Sequence, residues 1–210
     1  MKVSFYSGKG GCGKTPLSIC LMIDKEYAFA SNESYDVMTG KIDDSRLLFV
    51  ASEDEVPSFT SDIDIVFDLA GTMTSSDYSV VSALKQSDVV VVPIYNDEGA
   101  LKAGMKAIHA AHKLGKTVIV AATKLEKKTS QGWEESNDYL TIRNVVGSIK
   151  QDIGYMPAVM PLRLSKLFKK VISDCTSIRE LSSRSALSRK QQSDLVAQLD
   201  ALYREIEKHG

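Results

Sequence analysis

Short runs of branched apolar residues recur along the chain, separated by longer segments whose apolar residues return every three or four positions. The short runs predict strands at 2–6, 27–31, 46–51, 63–69, 89–95, 117–122 and 158–162, and the longer segments predict helices at 15–25, 75–86, 98–114, 139–153, 165–173 and 188–208. Val89, Val90, Val91 and Val92 form an unbroken apolar run, which suits a strand covered on both faces as in a parallel sheet. Strands that alternate with helices in this way predict an α/β fold, a doubly wound and mostly parallel sheet with helices on both faces. The polar stretches 39–44 and 124–137 read as loops. No linker or internal repeat divides the chain, so residues 1–210 are expected to form one domain.

Composition narrows this little. With 43% hydrophobic residues, 25% charged residues and a formal net charge of −1, the chain has a globular composition, and its bulk charge names no partner. Cys12, Cys20 and Cys175 lack metal-like spacing, which points to a reduced, cytoplasmic setting rather than a disulfide framework. The first strand runs directly into a glycine loop, leaving no room for a removable leader, and no apolar run approaches a membrane span. No stable membrane insertion is expected. His109, His112 and His209 keep no ligand-like company and are assigned no chemistry.

The glycine loop changes the picture. Gly8-Lys9-Gly10-Gly11-Cys12-Gly13-Lys14-Thr15 follows an apolar strand and precedes a helical pattern, the context a phosphate-binding loop requires. Its glycines allow successive N–H groups to turn toward phosphate oxygens, and the helix behind adds its positive end. Lys14 is the residue for the β and γ phosphates of ATP and Thr15 the hydroxyl for Mg²⁺; Pro16 fits the first helical turn, and Cys12 fills the variable position. The apolar strand 63–69 carries Asp68 near its carboxyl end, before Ala70-Gly71, where a carboxylate holds the same magnesium ion.

Ser7-Gly8-Lys9-Gly10-Gly11-Cys12-Gly13-Lys14-Thr15 resembles the deviant Walker A motif of the ParA and MinD family of P-loop ATPases. The likeness extends over nearly the whole chain through residues 49–56, 86–93 and 160–165, and is nearest to short ParA-type plasmid partition ATPases. It implies that Lys9 reaches across an ATP-dependent homodimer to the partner's phosphates. It also implies that Met160, Pro161 and Thr123 contact the base. The family's Asp-x-Asp pattern after the second strand is missing; Glu33 and Asp36 are the candidates for orienting the attacking water, Glu33 being nearer the strand end.

From Arg163 to Lys190 eight Lys and Arg residues face two acids. Arg163, Lys166, Lys169 and Lys170 could grip a phosphate backbone without reading sequence, and the resemblance implies non-specific DNA binding by the ATP-bound dimer on the nucleoid, release on hydrolysis, and a centromere-binding, ParB-like partner that stimulates a weak ATPase. The last helix carries an apolar stripe but no basic excess, which favours packing on the domain over a lipid surface. Three other readings compete: a small-molecule P-loop synthetase resembling dethiobiotin synthetase, a membrane- or conjugation-associated positioning ATPase, and a nucleotide-binding adaptor that does not hydrolyse.

Overall fold

In the computed structural model, which describes residues 1–33, 38–71, 77–126 and 132–210, each apolar run becomes a strand of one sheet. The strands are β1 (Lys2–Phe5), β2 (Ala28–Ser31), β3 (Leu47–Phe49), β4 (Ile65–Asp68), β5 (Val89–Ile94), β6 (Thr117–Leu125) and β7 (Ala158–Arg163). Their order is β3-β2-β4-β1-β5-β6-β7 and every pairing is parallel. Parallel strands need crossovers, and the helices supply them: α1 (Lys14–Asp24), α2 (Tyr78–Gln86), α3 (Glu98–Lys113), α4 (Asn137–Ser148), α5 (Lys150–Ile153), α6 (Leu167–Asp174), α7 (Ile178–Ser183) and α8 (Ala186–Glu207).

Side-chain alternation divides the core into two layers. Phe5, Val89, Val91, Ile119 and Ala121 meet Leu17 and Leu21 of α1, Val171 of α6, Ile178 of α7 and Leu199 and Leu202 of α8. Phe67, Val90, Val92, Val118 and Val120 meet Val80 and Leu84 of α2, Ile108 of α3 and Ile142 of α4 on the other face. All six residues of β5 are buried, as its unbroken apolar run requires. The stripe of α8 is likewise buried, with Leu195, Leu199, Leu202, Tyr203 and Ile206 at most 2% exposed. No described helix is long and apolar enough to cross a membrane.

Some boundaries differ from the sequence expectation. The helix expected at 139–153 is broken at Ile149, the C-cap of α4 and N-cap of α5, where Ile149 N–H turns to Val146 O at 3.2 Å. Helix α7 was not expected; a capping box between Ser177 and Glu180 starts it. The third strand shrinks to three residues behind a 3₁₀ turn at Asp44–Arg46. Strand β6 runs on to Leu125 through an irregularity at which Lys124 takes a positive φ of 56°. The expected start of α2 at residue 75 and part of the 124–137 loop lie outside the described residues.

Candidate functional site

The chain order reverses around β1: β4 lies on one side of it and β5 on the other. Open parallel sheets bind ligands at such a switch point, beyond the carboxyl ends of the strands. The glycine loop stands there. Gly11 and Gly13 have φ of 71° and 101°, a backbone that residues with a Cβ adopt at a cost. Gly13 is the N-cap of α1, so the loop ends on a helix amino terminus, where unsatisfied N–H groups favour anions. Pro16 lies in the first helical turn, as expected.

A cavity of about 560 Å³ opens over this loop. Its walls include Gly10 to Thr15, Glu33 and Thr123, together with Arg163, Leu164, Phe168 and Lys169. Lys14 lines it while only 8% exposed, and among the described residues no carboxylate forms an ion pair with its ammonium. A buried cation is costly unless an anion answers it. Glycine at 71 lets the segment after β4 pass close to that ammonium: a Cβ there would lie 3.4 Å from Lys14 Nζ and 3.1 Å from Ser7 O. Backbone N–H groups, a helix amino terminus and a buried ammonium are together the chemistry that suits a phosphate chain. Of the two expected magnesium ligands, Thr15 lines the cavity, whereas Asp68 ends β4, 1% exposed and outside the lining.

Neighbouring groups fix the loop. Thr123 Oγ1 donates to Cys12 O at 2.9 Å and lies 3.3 Å from Ile94 O, pinning the loop to β5 and β6. Ser7 Oγ donates to Cys12 Sγ at 3.7 Å. Burial pushes the Cys12 thiol up, against the lowering effect of Ser7 and of Lys14, Lys124 and Lys9. Three ammonium groups therefore act on one point of the loop. Lys124 also lies over the Tyr95 ring, 3.8 Å from its centroid.

The remaining candidates are distributed unequally. Glu33 reaches the cavity, and its N–H donates to Ser31 Oγ at 3.0 Å; Asp36 lies outside the described residues. Lys9 is exposed and does not line its own cavity; a Cβ on Gly99, at the start of α3, would lie 3.5 Å from its Nζ. Met160 and Pro161 sit inside β7, short of the lining, which begins at Arg163. Lys166, Lys169 and Lys170 are exposed around α6. Arg163 is tied to α8: its guanidinium donates to Gln191 O at 3.2 Å and to Gln192 Oε1, and its backbone N–H donates to Gln198 Oε1 at 3.0 Å. Sequence reasoning missed Lys124, Leu164 and Phe168 in the lining; the positive φ of Lys124 is the kind of feature that side-chain patterning does not encode.

No family model matches the chain, and no curated protein sequence is similar to it. Solved structures do match it over nearly its whole length. A variant of McdA from Cyanothece in complex with ATP aligns at 11% identity with a TM-score of 0.62, covering 100% of this chain and 97% of that one. MinD from Pyrococcus horikoshii in complex with Mg-ADP aligns at 13% identity and TM-score 0.58, covering 94% and 93%. The ParA of pNOB8 aligns at 12% identity and TM-score 0.58, covering 99% and 96%. The chain has the fold of the ParA and MinD P-loop ATPases.

Proposed function

We propose that this chain is an ATP-dependent positioning ATPase of the ParA and MinD kind, acting in DNA partition. The observation that carries the reading is the buried Lys14 ammonium, facing the glycine loop in a cavity large enough for a nucleotide. The Lys14 charge and the loop N–H groups bind the phosphates. Thr15 and Asp68 would hold Mg²⁺, which when bound offsets the negative charge of the β and γ phosphates. Glu33, in the same cavity, orients the attacking water. Solved structures of the same fold in complex with ATP and with Mg-ADP support the choice of nucleotide.

Lys9 acts on a second copy of the chain. Its exposed ammonium rests near the amino end of α3, beside the capping Asp97. A partner's triphosphate offers it a better counter-charge, so ATP drives a homodimer. In the dimer Lys166, Lys169 and Lys170 grip DNA phosphates. Lys169 and Phe168 wall the nucleotide cavity, so nucleotide state and DNA face share helix α6. Hydrolysis removes the γ-phosphate contacts and releases the dimer, with a centromere-binding protein as the expected stimulating partner.

A DNA gel shift with Mg-ATP tests this. Retention is expected with ATP, absent with ADP, and lost in Lys9→Ala. In a Lys169→Ala, Lys170→Ala double variant the slope of log affinity against log salt falls by about 2, about one per phosphate contact removed. Retention that needs no nucleotide contradicts the proposal.

A further inference from the structure

Asn32 stands between Ser31, the last residue of β2, and Glu33 of the cavity lining. Its side chain accepts a hydrogen bond from Ala70 N–H at 2.6 Å through Oδ1 and donates one to Ser79 Oγ at 3.1 Å through Nδ2. The two partners belong to separate segments. Ala70 precedes Gly71, the residue against Lys14 and Gly8, in the stretch that leaves Asp68. Ser79 lies in the first turn of α2, fully buried, and is bonded in turn to Ser52 O at 3.3 Å through both its N–H and its hydroxyl.

One amide thus joins the loop carrying Glu33, the loop leaving β4 and the start of α2. Asparagine suits the task because its side chain accepts and donates at once. Ser31 Oγ, accepting from Glu33 N–H, holds the same turn from the other side. We infer that Asn32 is a positioning residue, which fixes Glu33 against the phosphate end of the cavity by latching its loop to Ala70 and Ser79; the inference rests on the nucleotide reading above. In the step it assists, a water oxygen bonds to the γ-phosphorus and the bond to the β,γ-bridging oxygen breaks, its electrons leaving on ADP. Glu33 accepts one water proton and passes it to the phosphate product.

Without the Asn32 amide, Ala70 N–H loses this acceptor and the Glu33 loop its tie to Ala70 and Ser79, while the glycine loop, Lys14 and Thr15 are not touched. Misplacement by about 1 Å costs on the order of 10²-fold in rate, whereas phosphate binding has no reason to change. The test compares Mg-ATP turnover at saturation with the Kd for Mg-AMPPNP in wild type, Asn32→Ala and Ser79→Ala. Asn32→Ala is expected to lower kcat by about 10- to 100-fold with Kd within about threefold, and Ser79→Ala, which spares the Ala70 bond, to lower kcat by a smaller factor. If Asn32→Ala does not fold, the Ser79→Ala comparison decides. Unchanged kcat overturns the inference, as does a parallel loss of kcat and affinity with a fall in Tm, the mark of a merely structural role. Wild-type protein that binds Mg-ATP without turning it over overturns it too. Wild-type protein that binds no nucleotide defeats the nucleotide reading instead.

Discussion

Among the described residues, the buried side chains of Asp24 and Lys14 stand under opposite terms. Asp24, 3% exposed, accepts from Tyr203 Oη at 3.1 Å and lies 3.8 Å from Arg179 Nε, so its partners come from α7 and α8 within the fold. Lys14 has no such counter-charge among the described residues; under the proposed function, a bound phosphate chain supplies it. The Asp24 carboxyl is raised above the usual carboxylate range, by burial first, against lowering by hydrogen bonds from Ser177 and Tyr203 and by Arg179. A carboxyl with a raised folded pKa binds its proton more tightly in the folded state, so ionised Asp24 opposes folding above that pKa. The penalty fades as pH falls through the folded value and is gone below the unfolded one. Asp24→Asn keeps an acceptor for Tyr203, and Arg179 keeps Asp200. Thermal melts should therefore show a higher Tm than wild type at pH 7.5, with the gain shrinking toward pH 4; a gain that grows on acidification contradicts the assignment.

At the scale of elements, two helical glycines separate close approach from mere tolerance. Gly104 lets α3 lie against β5: a Cβ there would stand 2.4 Å from Ile94 Cδ1 and 2.6 Å from its Cγ1, in a fully buried strand. Gly147 of α4 meets nothing nearer than Met156 Cε at 3.9 Å. Gly104→Ala is expected to destabilise by about 1–3 kcal/mol through overpacking, and Gly147→Ala to stabilise by about 0.5–1 kcal/mol through helix propensity and a less free unfolded chain. Denaturant unfolding of the two variants checks the opposite signs; loss of stability in both would deny the distinction.

The elements were legible wherever a short-range pattern made them. β5 followed from four consecutive valines and α8 from its apolar spacing, because both patterns report burial directly. Helix α7 has a local signature, the Ser177–Glu180 box, but at six residues it is too short to show an apolar period. The break at Ile149 had none, since a buried isoleucine suits a continuing helix as well as a stop.

For the whole molecule, the glycine-loop wall of the cavity was legible because one contiguous loop supplies it, and the fold then adds Glu33 and Thr123 to the same cavity. The wall at Arg163 was not, because it depends on contacts distant in sequence. Arg163 reads as one more basic residue until α8 arrives, 28 positions later, to engage its guanidinium; the lining consequently starts at Arg163 rather than at Met160 and Pro161. The proposed function turns on one event, the capture of a triphosphate by the loop and the Lys14 ammonium. Titration calorimetry with Mg-ATP measures it most directly. Saturable binding near one nucleotide per chain is expected for the wild type, with at least about tenfold weaker binding in Lys14→Ala, the loss of a charge-assisted contact worth roughly 1.5–3 kcal/mol. Folded wild-type protein that takes up no nucleotide, or a Lys14→Ala variant that binds Mg-ATP as tightly as the parent, would contradict it.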